Sequence, residues 1–175
     1  MNKMLDKPLN IWGIYAPTNA KNRKKWLREL EREIRQTNNG YRMIAGDFNF
    51  IMNIKLDKRG GRSYRGTAGR KEQKEWEKEF EITDACRKQN TNDIGTTWTN
   101  GVRDEKKRVW TRIDRVLADD RILDRLTEVE IVQTKISDHN TISWSIETII
   151  KKKKPPYDKI PTTMMTNQEF KLKVK

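Results

Sequence analysis

Across its 175 residues the chain has one cysteine, Cys86, and one histidine, His139. A single thiol excludes a disulfide within the chain and a cysteine-based zinc site, and it fits a reducing compartment. No apolar run approaches the length that crosses a bilayer. The start, Met1-Asn2-Lys3-Met4-Leu5-Asp6, lacks the apolar core of a signal peptide. These absences predict a soluble intracellular protein, nuclear or cytoplasmic, neither secreted nor held in a membrane. Hydrophobic residues are also scarce, at 34% against 36% charged, so the core of a single domain must lie under a heavily charged shell.

Negative charge is short as well. Lysine and arginine number 38 against 25 acidic residues, a net charge of +13. Residues 151–175 hold eight lysines against Asp158 and Glu169, which is +6 and leaves +7 on residues 1–150. The body is therefore basic in its own right, which favours a polyanionic partner. The tail opens on four lysines and Pro155-Pro156. It reads as a basic, disordered linker following a domain that spans 1–150.

The remaining residues are patterned for a mixed α/β domain. Asn10–Tyr15 is β-branched and aromatic and reads as a strand buried on both faces, ending at Ala16-Pro17. Thr18 or Asn19 can cap a helix whose core side is Trp26, Leu27, Leu30 and Ile34, with charge on the outside. A strand from Tyr41 to Asp47 follows, completing a strand–helix–strand unit. Leu56 to Arg70 reads as a loop in which Arg59, Arg62, Arg65 and Arg70 lie among glycines with Tyr64. Such a loop suits phosphate contacts and base stacking, and equally a solvated surface. Trp76 and Phe80 mark the core side of a second helix. Thr96–Thr99 and Arg108–Asp114 read as two strands of a long hairpin, followed by a short helix near Asp120–Leu126. A strand at Val129–Gln133 and a half-buried final strand with Ile142, Trp144 and Ile146 close the body.

The chemistry gathers at strand ends. After the apolar run Met43–Ala45, Gly46 permits a sharp turn, and Asp47 and Asn49 stand two residues apart. A carboxylate can hold a hard cation or accept a proton, and an amide can donate to an oxyanion. The same residues also suit an ordinary Asx turn. Asp114 ends the second hairpin strand, and Asp138-His139 precedes the last strand. Together they provide for metal-assisted attack of water on a phosphodiester, with carboxylates for cation and water, and amide and imidazole for phosphate oxygens.

Tyr15-Ala16-Pro17, Gly46-Asp47-Phe48-Asn49, Thr97-Trp98, Arg112-Ile113-Asp114 and Ser137-Asp138-His139 occur in this order. In order and spacing they resemble the endonuclease/exonuclease/phosphatase superfamily, which includes deoxyribonuclease I and the apurinic endonucleases. The likeness is nearest to the endonuclease domain of non-LTR (LINE-type) retrotransposons. It implies a four-layer α/β sandwich of two mixed sheets and a Mg²⁺- or Mn²⁺-dependent DNA endonuclease. It further implies that Tyr15 lies near the scissile phosphate, Asp47 positions water and Asn49 stabilises the pentacoordinate phosphate. Asp114 would orient His139, His139 would bind or protonate a phosphate oxygen, and Asp138 with Asp47 would lie near the metal. Thr97, Trp98 and Arg112 would join the loop arginines along the DNA groove. The family's early strands, with an Asn and a metal-holding Glu, find no match here, so the sequence resembles the C-terminal two-thirds of such a domain. An uncovered sheet edge prone to self-association is then expected. The alternatives are a non-catalytic nucleic-acid-binding remnant and a phosphoesterase acting on a small phosphorylated substrate.

Overall fold

In a computed structural model, β1 (Leu9–Tyr15) and β2 (Tyr41–Asp47) run parallel, with α1 (Ala20–Gln36) as the crossover. The structure describes residues 5–37, 39–61, 68–91 and 95–147, which fall in the unit Leu5–Thr148. The linker expected at 151–175, and Arg62, Tyr64 and Arg65, lie outside the described residues.

The helix α1 forms where the sequence places it. The Asn19 side chain accepts from the Lys21 and Asn22 backbone N–H groups at 2.9 and 3.2 Å, satisfying donors that the first turn leaves orphaned. No glycine or proline interrupts it, and Leu27, Leu30 and Ile34 recur on one buried face. Arg23 joins that face, its Nη1 donating to the carbonyls of Pro17 and Thr18 at 2.9 and 2.8 Å. The loop before the helix is thereby fixed to its first turn.

From Ile54 onward the short elements α2 (Ile54–Asp57) and β3 (Lys58–Arg59) replace the start of the expected loop. Next come α3 (Arg70–Phe80), β4 (Ile82–Asp84) and α4 (Ala85–Gln89). The hairpin is β5 (Trp98–Thr99) against β6 (Trp110–Thr111), antiparallel as expected. Then β7 (Asp114–Asp119), α5 (Asp120–Leu123), β8 (Leu126–Val132) and β9 (Thr141–Ile146) complete the described residues. Among them, the strands make three sheets, ordered β1-β2-β7-β4, β3-β6-β5 and β8-β9. This is a mixed α/β fold with several sheets, as the sequence predicts.

The first sheet separates two cores. On one face Leu27, Leu30 and Ile34 of α1 meet Trp76 and Phe80 of α3, over Ile44, Phe48, Phe50 and Leu117. On the other, Met43, Ala45, Val116 and Ala118 pack with Ile122, Leu126 and Val129, and Ile142, Trp144 and Ile146 of β9 cover them. Sequence reading expected β1 to be buried on both faces. Instead β1 is the edge strand, and Ile11 is 55% exposed. A continuous apolar run does not by itself say how many neighbours a strand has.

Candidate active site

Cross-strand register builds the centre of the site. Tyr15 of β1 is level with Asp47 of β2, and Asp47 is level with Asp114 of β7. Residues level across neighbouring strands share a sheet face, so these three side chains form a row at one rim. β1 can come this close to β2 because residue 46 is glycine. Its φ is +137°, and a Cβ there would stand 2.1 Å from the Ile14 carbonyl oxygen.

β2 ends at Asp47, and the chain turns instead of extending. Asn49 therefore reaches Asp47 by a turn and not through strand alternation. Its φ is 56°, a left-handed conformation that asparagine tolerates better than most residues. The Asn49 backbone N–H donates to Asp47 Oδ1 at 2.7 Å. Its Nδ2 donates to Asp47 Oδ2 at 3.0 Å and to the Ala16 carbonyl at 2.7 Å. The Asx turn and the site are thus one structure. Both amide hydrogens of Asn49 are engaged, so in this geometry Asn49 holds Asp47 in place. Stabilising a pentacoordinate phosphate, the role implied by resemblance, would require that amide to turn away from Asp47.

His139 comes to the same rim on the chain entering β9. Its Nδ1 lies 3.0 Å from Asp114 Oδ2. A carboxylate at Nδ1 fixes the ring and favours the tautomer with the proton on that nitrogen, leaving Nε2 for substrate. The segment is tied to the hairpin by backbone bonds from Asn140 N to Thr97 O, 2.7 Å, and from Thr99 N to Asp138 O, 3.1 Å. Trp98 Nε1 also donates to Asp138 Oδ2 at 2.8 Å.

Thr97 anchors Asp114 from beneath. It is fully buried, and its Oγ1 accepts from the backbone N–H groups of Ile113 and Asp114, both at 3.0 Å. Thr97→Val keeps the shape but leaves two buried N–H groups unpaired. Urea unfolding should show a loss of about 1–3 kcal/mol for this variant. Thr97→Ser should recover most of it, since the hydroxyl is what matters. Equal stability of valine and serine variants would mean that water satisfies those groups.

Asp47 is buried, and burial pushes its pKa above the usual carboxylate value. The Asn49 backbone N–H opposes that shift, Asp114 adds to it, and His139 and Arg115 oppose it. One carboxyl oxygen each from Asp47 and Asp114 and one ring nitrogen of His139 lie within 4.8 Å of one another. Two carboxylates this close repel, and a divalent cation would relieve them, so the donor set fits a hard cation in charge and chemistry. It provides at most three protein ligands, so waters or phosphate oxygens would complete the shell. Asp138, expected near the metal, is exposed and lies outside this cluster.

The expected DNA-binding residues divide. Arg59 is exposed, and Trp98 and Tyr15 are accessible at the rim, Tyr15 at 71%. Arg70 turns inward, with Nε donating to the Ile51 carbonyl at 2.7 Å. Arg112 corrects the sequence reading most sharply. It is 2% exposed, with Nε on Asp57 Oδ1 at 3.0 Å and Nη1 on Asp84 Oδ2 at 2.8 Å, so it faces no groove. Thr97, buried as described, likewise faces none.

Asp57, Asp84 and Arg115 went unnoticed in the sequence. Arg115 is fully buried between the Phe48 and Phe50 rings, its guanidinium carbon 4.5 Å from each centroid, with Nη1 donating to the Phe50 carbonyl at 2.8 Å. Burial pushes its pKa down to about 10. It follows Asp114 directly, so strand alternation sends the two to opposite faces, and that signal was present. It braces the turn carrying Asn49 from behind.

No curated protein matches the sequence. Solved structures do. An AP endonuclease from Archaeoglobus fulgidus aligns at 16% identity and TM-score 0.66, over 80% of this chain and 62% of that one. The 3′ phosphatase NExo from Neisseria, bound to product DNA hairpin, aligns at 16% and 0.63, over 78% and 60%. The Xenopus laevis APE2 catalytic domain aligns at 18% and 0.59, over 83% and 52%. This chain therefore spans roughly half to three-fifths of each neighbour's length, and the likeness is one of fold. The Endonuclease/Exonuclease/phosphatase family pattern matches residues 6–139, from before β1 to His139 itself. With most of its length inside that match, the chain belongs to the Endonuclease/Exonuclease/phosphatase family.

Proposed function

We propose that the chain hydrolyses phosphodiester bonds in DNA with the help of a divalent cation, Mg²⁺ or Mn²⁺. We further propose that it derives from a retrotransposon endonuclease of the LINE type. The observation that carries the first reading is the Asp114–His139 pair, 3.0 Å apart, beside a buried Asp47 at the same rim. The family match and the net charge of +13 support it.

Asp47 receives the proton of the attacking water. Asn49 fixes both carboxyl oxygens of Asp47, so the base is oriented before substrate arrives. His139, steadied at Nδ1 by Asp114, presents Nε2 to a phosphate oxygen or to the leaving oxygen. Tyr15 and Trp98 offer rings at the rim where flanking bases can stack. Asp47 and Asp114 would hold the cation, which when bound neutralises charge on the phosphate.

The test is incubation of supercoiled plasmid with Mg²⁺ or Mn²⁺, with and without EDTA, alongside p-nitrophenyl phosphate. Nicked circles that form with metal, vanish with EDTA and arise without hydrolysis of the small ester are the expected result. DNA binding without EDTA-sensitive nicking would overturn the catalytic reading in favour of a binding remnant. Hydrolysis of the ester alone would favour a small-substrate phosphoesterase.

A further inference from the structure

The outer face of α1 carries a positive stripe that the site does not use. Lys21, Lys24, Lys25, Arg28 and Arg32 are all exposed and recur at steps of one, three and four residues. At 100° per residue they cluster on the side opposite the buried face of Arg23, Leu27, Leu30 and Ile34. Carboxylates lie at the margins, where one engages a lysine of the stripe and another an arginine outside it. Glu29 pairs with Lys25 at 3.8 Å, and Glu31 pairs with Arg35, which also meets Glu79. Among the described residues, Lys21, Lys24, Arg28 and Arg32 have no ion pair.

A solvated helix face normally mixes its signs, because like charges at i and i+4 repel by a few tenths of a kcal/mol each. This face accepts that cost from Lys21 to Arg32, over a span of about 17 Å. It has no apolar residue to enter a bilayer, so an amphipathic membrane helix does not fit. A polymer of phosphates does.

Its position gives it meaning. The stripe starts at Lys21, and the chain just before it is bound to the rim. Asn19 caps the helix, Arg23 holds the Pro17 and Thr18 carbonyls, Ala16 N donates to the Asp47 carbonyl at 2.7 Å, and Ala16 O receives Asn49. The basic face is thus rigidly joined to Asp47 and leads away from it.

We propose that this face of α1 is an interaction surface for the phosphate backbone of nucleic acid extending beyond the cleavage rim. It holds the flank while the rim holds the scissile bond. The proposal rests on the reading of the chain as a nucleic-acid-binding protein. Each side chain contributes through phosphate contact, so the surface adds affinity and salt dependence without sequence preference.

The test compares two full-length variants of equal charge. One carries Lys21→Gln, Lys24→Gln, Arg28→Gln and Arg32→Gln. The control carries Lys71→Gln, Lys74→Gln, Lys78→Gln and Lys88→Gln, all exposed positions on α3 and α4. Affinity for a duplex of about 30 base pairs is measured across a salt series, where each lost phosphate contact flattens the log–log slope by about 0.9. The stripe variant should lose at least about 10-fold in affinity near physiological salt and flatten the slope by two to four such steps. The control should keep the wild-type slope. Unfolding midpoints check that both are folded, and Lys24→Gln/Arg28→Gln should give about half the slope change. Equal losses in both four-site variants would overturn the proposal while leaving nucleic-acid binding intact. A wild-type chain that binds no duplex would overturn the proposal together with the reading beneath it.

Discussion

Arg112→Ala should destabilise the fold by about 3–5 kcal/mol, the usual cost of removing one partner from a buried ion pair. Arg112 links two carboxylates that water barely reaches. The side chain of Asp57 is fully buried and that of Asp84 is 11% exposed. Asp57 also accepts from Arg87 Nη2 at 2.7 Å and from the backbone N–H groups of Met52 and Asn53 at 3.1 and 2.7 Å. The arginine thereby joins α2, the end of β4 and the link between β6 and β7, which leads into Asp114. With a native stability of about 5–15 kcal/mol for a typical domain, the loss would be a large share of the total. Urea denaturation of the purified variant measures it. A cost below about 1 kcal/mol would mean that both carboxylates reach solvent when the arginine is gone.

The effect depends on pH with a definite sign. Burial alone would raise the pKa of Asp57, but the Arg112 charge and the Asn53 N–H outweigh it and hold the value below 3.8. A carboxylate with a lowered folded pKa contributes stability above its unfolded value, and that contribution is lost as pH falls through the folded value. In Arg112→Ala only burial and the backbone bonds remain, so Asp57 is relieved by protonation. The stability gap between wild type and variant should therefore narrow below about pH 4. The double variant Asp57→Ala/Arg112→Ala should cost less than the sum of the single changes, because the fully buried Asp57 charge is gone and only Asp84 is left without its arginine.

The second large effect is on the proposed reaction. His139→Ala and Asp47→Ala should each lower plasmid nicking by about 100-fold or more, the range expected for a lost acid or base. Asp114→Asn should fall in the same direction, since it alters the partner of His139 Nδ1 without emptying the space. His139→Ala should leave DNA affinity nearly unchanged, because one imidazole adds little to a surface of many cations. Gel-based nicking rates and fluorescence anisotropy, measured on the same preparations, separate the two. Nicking that survives both alanine substitutions would trace to a contaminating nuclease.

Local pattern determined much of this protein. The strand–helix–strand unit, the capped α1, the Trp76–Phe80 core side and the half-buried last strand follow from apolar spacing and turn residues, which act over a few positions. The short motifs around Asp47, Asp114 and His139 were legible for the same reason: each lies where a strand meets a turn. What local pattern could not supply was the register that sets Tyr15, Asp47 and Asp114 in one row, or the turn that commits Asn49 to Asp47. Those depend on residues tens of positions apart meeting across strands.

The arginines show the limit most clearly. Arg59, Arg70, Arg112 and Arg115 look alike in sequence, as positive charge near a basic loop or a hairpin. In the folded chain Arg59 faces solvent, Arg70 bonds a backbone carbonyl, Arg112 joins two buried carboxylates, and Arg115 lies between two phenylalanine rings. A guanidinium can bind a phosphate or neutralise a buried acid with the same donors. Only tertiary structure, by bringing Asp57 and Asp84 to Arg112 and shutting out water, decides which it does.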